Sequence, residues 1–323
     1  MHINLPRVTS ITKKIVVALL GAFLLVFLAF HAVANLMLLS HDGGQSYSAF
    51  CHFMGSNVIV KVFELVLLGC LGLHILLTVL LWFQNRMARP VQYHTPSKSR
   101  KSPGSAIMIL TGLLILICLG LHFYDFYLVK VGVVKGDYMV KLEAVQTNEV
   151  VTLQQASAEF QTDPATFMQQ YEQQLMLYAS QLPPDQYDEL VGNLDNMKRA
   201  VPVVAFLDTV AANELVGPDH KWIKPVTAKQ KEMLQNAIPG IDIEPDFYHM
   251  AHELFKIKHI LFLYILFFVI LWFHMRHAFQ AAFQTLGLTN YKYFRAINII
   301  GNIYAWCICL MFAAVAIGIN ILF

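Results

Sequence analysis

The stretch IVVALLGAFLLVFLAFHAVANLMLL, residues 15–39, runs for 25 positions without a charged side chain. As a helix rising 1.5 Å per residue it is long enough to cross the roughly 30 Å hydrocarbon core of a bilayer. A basic start followed by an apolar run and the triplet Ala32-Val33-Ala34 imitates a secretory signal, but the run is too long for a signal core and reads as a membrane helix. Working outward, four more apolar runs of similar length cover approximately 58–83, 105–129, 257–284 and 293–322. The composition agrees: 57% of residues are hydrophobic and 14% charged, with a mean hydropathy of +0.53, whereas a soluble domain carries about 25% charge. The expected fold is an all-α membrane protein, a bundle of five transmembrane helices.

Between the third and fourth runs lies a segment of a different kind. Residues 131–256 hold 18 acidic and 9 basic residues, a net charge of −9, while the rest of the chain carries +11. The expected organisation is therefore transmembrane helices 1–3 over 1–130, an acidic extramembrane insert over 131–256, and helices 4–5 over 257–323. Pro164 opens the Gln-rich run ATFMQQYEQQLMLYASQL, Pro183-Pro184 breaks it, and DQYDELVGNLDNMKRAV resumes a 3.6-residue apolar rhythm. Further helices are expected over 201–215 and 226–237, with flexible stretches near 216–225 and 238–246. The insert reads as a mostly helical packing or partner surface, since nothing in it has metal or nucleophile spacing.

Arg7, Lys13 and Lys14 precede the first helix, and Arg86, Arg89, Lys98, Arg100 and Lys101 separate the second from the third. Lys292 and Arg295 precede the fifth, whereas the 40–57 loop has no Lys or Arg. By the positive-inside rule the N-terminus is expected in the cytoplasm, with the C-terminus and the insert outside. The five cysteines form neither CxxC nor CxxCH, which excludes covalent haem attachment; they read as small apolar packing residues.

Four of the five helices carry a histidine in apolar surroundings: His31, His74, His122 and His274. An ionisable side chain in hydrocarbon marks function by default, and neutral imidazole is the usual axial ligand of a b-type haem. Two ligands of one iron must sit at one level on different helices. His31 lies 17 residues after Lys14 and His122 lies 17 after Ser105, both about 25 Å from the basic end of their helices. His74 is 12 residues before Arg86, about 18 Å from that end, and His274 is 13 before Gly287, about 20 Å. The heights give an outer pair, His31 with His122, and an inner pair, His74 with His274, so two haems b are expected. His277, three residues after His274, is the competing fourth ligand. LLGAFLLVFLAFH ends at His31 and LTGLLILICLGLH at His122, each with a glycine ten residues earlier, Gly21 and Gly112. Such small residues suit a bundle around a flat cofactor, and they suit ordinary helix packing equally well. Two stacked haems would carry electrons between a soluble redox partner and a lipid-soluble quinone.

The phrases GAFLLVFLAFHAVAN, QNRMAR, LGLHFYDFY and WFHMRHAFQAAFQTLGL together resemble the cytochrome b subunit of bacterial succinate:quinone oxidoreductases, specifically the five-helix, two-haem type of Bacteroidetes-like bacteria. The resemblance covers about 200 residues, the whole membrane part. It implies that His31, His74, His122 and His274 ligate the haems. It implies flavoprotein and iron–sulfur subunits on the cytoplasmic side of a bacterial cell membrane, menaquinone as electron partner, and no succinate chemistry in this chain. Two departures stand out: Ala278 replaces the family's glycine, and the 131–256 insert is far longer than the family's third loop. A cytochrome b of another redox complex, of hydrogenase or formate dehydrogenase type, and a haem-free membrane receptor or assembly factor are the alternatives. No nucleic-acid partner is expected, and the whole complex could oligomerise.

Two subsidiary residues carry charge into the helices. Arg276 is expected either to pair with a haem propionate or the iron–sulfur partner, or to reach the headgroups from a helix end. Glu64, about 15 Å outward of His74, is either a proton site for quinone or one half of an ion pair with Lys61 one turn away.

Overall fold

The computed structural model describes residues 9–88, 103–179, 182–217 and 221–323. Arg7, Arg89, Lys98, Arg100, Lys101, His2, His94 and His220 lie outside the described residues. In chain order the helices are α1 (Ser10–Asn35), α2 (Gln45–Ser56), α3 (Val58–Met87) and α4 (Pro103–His122). A π-helical turn, Phe123–Tyr127, leads into the short α5 (Leu128–Lys130). The insert follows with β1 (Tyr138–Lys141), α6 (Leu142–Val145), α7 (Asn148–Glu159), α8 (Pro164–Ala179), α9 (Pro184–Ala212), β2 (Trp222–Val226), α10 (Ala228–Ala237), β3 (Ile243–Pro245) and α11 (Phe247–Lys256). The chain ends with α12 (Lys258–Thr285) and α13 (Phe294–Leu322).

Among the described residues five helical spans are long and apolar enough to cross a membrane: Ser10–Leu39, Val58–Met87, Ile107–Lys130, Lys258–Thr285 and Phe294–Leu322. Their side chains are largely exposed on the outside of the bundle, among them Leu65, Ile117, Phe262 and Leu310. Such a surface belongs in hydrocarbon, where helices satisfy every backbone polar group internally. Side-chain caps close the ends: the Thr9 hydroxyl accepts from Thr12 N at the start of α1, and the Asn57 side chain accepts from Ile59 N and Val60 N at the start of α3.

The chain forms two compact units, one of Met1–Ser40, Ala49–Tyr124 and Ala251–Phe323, the other of His41–Ser48 and Asp125–Met250. In the membrane unit α12 packs against α13, α4 and α1, and α1 packs in turn against α3 and α13. Close approach of α12 and α13 requires Gly301, where a Cβ would stand 2.6 Å from the Phe279 ring. The Tyr304 hydroxyl donates to Leu25 O, tying α13 to α1. All five cysteines are free thiols.

The second unit is helical around a small sheet. α9 packs on α7, α8 and α10, over a core that includes Leu153, Val203, Ile223 and Leu234. α9 continues through Pro202 as one 29-residue helix, where the sequence suggested a new helix beginning near 201. The stretches expected to be flexible, 216–225 and 238–246, contribute β2 and β3, which pair antiparallel on either side of β1 in the order β2-β1-β3. Each strand has only three to five residues, and the pairing partners of Tyr138 are Val226 and Pro245. No local periodicity announces so short and non-local a sheet.

Within this unit Asp246 is almost fully buried, 1% exposed. Its carboxylate accepts from His249 N at 3.1 Å, capping α11, and its own N–H donates to Asp137 O. His249 Nδ1 in turn meets Asp137 Oδ2 at 3.0 Å. Burial pushes the Asp246 carboxyl above the usual range, a shift opposed by the His249 N–H and the nearby charge of Lys224. A carboxyl whose folded-state pKa is raised binds its proton more tightly in the folded state. Its contribution to stability is full below the unfolded value and declines as pH rises through the folded one. Asp246→Asn keeps the cap without the charge. The stability of the variant relative to wild type is therefore expected to rise between about pH 4 and neutrality, followed as the thermal midpoint of the insert. A difference independent of pH would contradict the assignment.

Candidate functional site

The membrane unit brings two of the four helix-borne histidines into contact and sets each of the other two against a glycine of a neighbouring helix. His31, on α1, and His122, the last residue of α4, have ring centroids 5.9 Å apart at an interplanar angle of 77°. Two imidazoles bonded from opposite sides to one metal ion at about 2 Å per nitrogen would have nitrogens about 4 Å apart and ring centres roughly 6 Å apart, close to the separation seen. Aromatic rings enclose the pair. Phe27 stacks on His31 at 5.4 Å, Phe312 of α13 stands 5.7 Å from it, and Tyr264 of α12 lies 6.4 Å from His122. The Asn35 side-chain amide donates to His31 O at 2.7 Å and lies 3.4 Å from His31 Nδ1. The π turn begins directly after His122, the kind of helix irregularity found at functional sites.

At the second level His74 of α3 lies against Gly21 of α1, and His274 of α12 lies against Gly112 of α4. A Cβ on Gly21 would stand 3.5 Å from His74 Cε1, and a Cβ on Gly112 would stand 3.5 Å from His274 Cε1. α1 and α4 thus each give a histidine to one level and, ten residues earlier, a glycine to the other. The repeat seen in the sequence is a repeat of contacts: each glycine lies against an imidazole of a neighbouring helix, at a distance where an added Cβ would make ordinary van der Waals contact.

The inner rings differ in how their outer nitrogens are met. Thr111 is 7% exposed, and its hydroxyl donates to Met108 O at 3.0 Å. The same oxygen lies 3.2 Å from His274 Nδ1. With the hydroxyl proton committed to Met108, the oxygen accepts from Nδ1–H, which leaves the Nε2 lone pair of His274 available. His74 Nδ1 is buried and makes no hydrogen bond of ordinary geometry among the described residues. Half-buried His277 does not share the contacts of His274: the ring that meets Gly112 and Thr111 is that of His274.

The paired imidazoles of His31 and His122, the His74 and His274 rings set against Gly21 and Gly112, and the buried His74 Nδ1 form a donor set suited to bis-histidine haems. Comparison with protein-family models, curated proteins and solved structures found no match. Glu64 is half-buried on α3 and Arg276 is exposed on α12. Sequence reasoning did not single out Thr111, Asn35 or the aromatic enclosure of the outer pair. Asn35 was accessible in principle, since it stands one helical turn after His31. Thr111 is adjacent to Gly112 and its role depends on which way α4 faces.

Proposed function

We propose that the chain is a di-haem cytochrome b, the membrane anchor and quinone-reactive subunit of a succinate:menaquinone oxidoreductase. The observation that carries the haem reading is the meeting of His31 with His122 from separate helices, with His74 and His274 set against glycines of those same two helices. The haems would supply one-electron transfer between the two faces of the membrane. The chain's own residues hold and orient them: His31 and His122 in an aromatic enclosure, His74 and His274 beside Gly21 and Gly112. The succinate and menaquinone assignment rests on the four family-like phrases, with the flavoprotein and iron–sulfur subunits as partners on the cytoplasmic side.

The test is a dithionite-reduced optical spectrum and a pyridine haemochrome count on the purified chain, with identification of co-purifying subunits. Two haems b per chain and a bound flavoprotein are expected. Absence of a b-type α-band would overturn the reading in favour of a haem-free membrane receptor, and two haems with a hydrogenase or formate dehydrogenase partner would reassign the complex.

Thr111 supplies a finer test. It is a positioning residue whose oxygen, by accepting from His274 Nδ1–H, favours the oxidised metal. In Thr111→Val the inner haem midpoint potential is expected to rise by roughly 40 mV, the equivalent of about 1 kcal/mol for one electron. The outer haem should not move. A redox titration in which both potentials stay at their wild-type values would remove Thr111 from this role.

A further inference from the structure

Two cations of the membrane unit have no part in the haem reading. Arg276 lies nine residues before α12 ends at Thr285, about 14 Å into the span. It is two positions from His274, roughly 200° around the helix, so it leaves the face that meets α4 and Gly112. A haem propionate would be sought on the His274 face. Instead Arg276 lines a groove of about 440 Å³ together with Arg295, Asn298 and Asn302 of α13.

The α13 side of the groove is a polar stripe in an apolar helix. Arg295, Asn298 and Asn302 are spaced i, i+3 and i+7, on one face. Neither arginine side chain has an ion pair with a described residue; the Arg276 guanidinium lies 5.5 Å over the Trp272 ring. Asn302 Oδ1 is buried without a hydrogen-bond partner. The apolar flank is open to the outside of the bundle, with Ile299 50% and Ile303 55% exposed. Two unpaired guanidinium groups and an unsatisfied amide beside hydrocarbon are costly unless a ligand meets them.

We propose that this groove binds the phosphate of an anionic phospholipid. Arg276 and Arg295 clamp the phosphate oxygens from two helices, Asn298 and Asn302 hydrogen-bond the headgroup, and an acyl chain lies along Ile299 and Ile303. Basic pockets between membrane helices are suited to such headgroups, and guanidinium is the side chain that matches a phosphate geometrically. A free phosphate would answer the charges and leave the apolar flank uncovered. The proposal does not depend on haem.

The experiment uses the full chain in detergent, with native mass spectrometry and thermal unfolding as readouts and phosphatidylglycerol, phosphatidylcholine and inorganic phosphate as probes. Phosphatidylglycerol is expected to remain bound and to raise the unfolding midpoint; phosphatidylcholine and inorganic phosphate at the same concentration are not. In the Arg276→Gln/Arg295→Gln double variant the affinity for phosphatidylglycerol should fall roughly tenfold or more, and Arg276→Lys/Arg295→Lys should recover part of it. Equal retention of the two lipids by the wild-type chain would overturn the proposal, a comparison that stands even if the glutamine variant does not fold. Unchanged binding in a folded glutamine variant, or inorganic phosphate matching the effect of phosphatidylglycerol, would overturn it as well.

Discussion

On the di-haem function proposed above, alanine at position 31 or at position 122 is expected to leave one haem per chain instead of two, and the same haem in both cases. A low-spin b-type site needs an imidazole on each side of the iron, so loss of either ligand removes the whole site and not half of it. The double variant His31→Ala/His122→Ala should therefore be no worse than either single, because residues acting as a unit are non-additive. His74→Ala and His274→Ala should likewise agree with each other while removing the other haem. The two classes are distinguished by which midpoint potential survives in a redox titration. His277→Ala is the control and should retain both. The outer pair is the sharper case, since its rings stand 5.9 Å apart and are enclosed by Phe27, Phe312 and Tyr264. If the four alanine variants each hold two haems by pyridine haemochrome, the pairing is wrong.

In the second unit the largest effect is expected from Leu234→Ala. Leu234 is 0% exposed in the hydrophobic core of the insert. Deleting three carbons from a packed site removes their transfer free energy and leaves a cavity, together roughly 2–5 kcal/mol. A domain of this size has on the order of 5–15 kcal/mol to lose. The thermal midpoint of the insert should fall by on the order of 10 °C or more, with earlier cleavage by added protease inside 131–250. The haem count should remain two, because the substitution lies in a different compact unit from the histidines. Loss of haem in parallel with the insert would show that the two units unfold as one.

The membrane helices were legible because hydrocarbon imposes a demand on every residue of a span. Residues 15–39 carry no charge, and a helix runs through the whole of them and slightly beyond. The heights of the histidines were legible for a related reason: a helix that must cross converts residue count into depth. His31 and His122, placed level by counting, have rings in contact range. Azimuth was not legible in the same way. Whether Thr111 or a neighbour faces His274, and that Arg276 shares a groove with Arg295, depends on how α4, α12 and α13 are rotated. In the insert, helix signals at Pro164 and Pro184 coincide with the starts of α8 and α9. The sheet escaped because β1, β2 and β3 are brief and β1 meets its partners across roughly 80 to 110 residues. The separate helix expected over 201–215 is instead the second half of α9, a long helix with neighbours on several sides that continues through Pro202 despite its missing N–H.

The ten-residue interval from Gly21 to His31, repeated from Gly112 to His122, makes a gauge of each helix. Ten residues advance about 15 Å and about 1000°, roughly 80° short of three whole turns, so glycine and histidine occupy different storeys on faces almost a quarter-turn apart. One residue inserted between them would swing the upper group through about 100° and lift it by about 1.5 Å. Chain-length changes inside either interval should thus be far more damaging than substitutions at the same positions, whereas a matched insertion in both helices would keep the storeys level and still turn the rings aside.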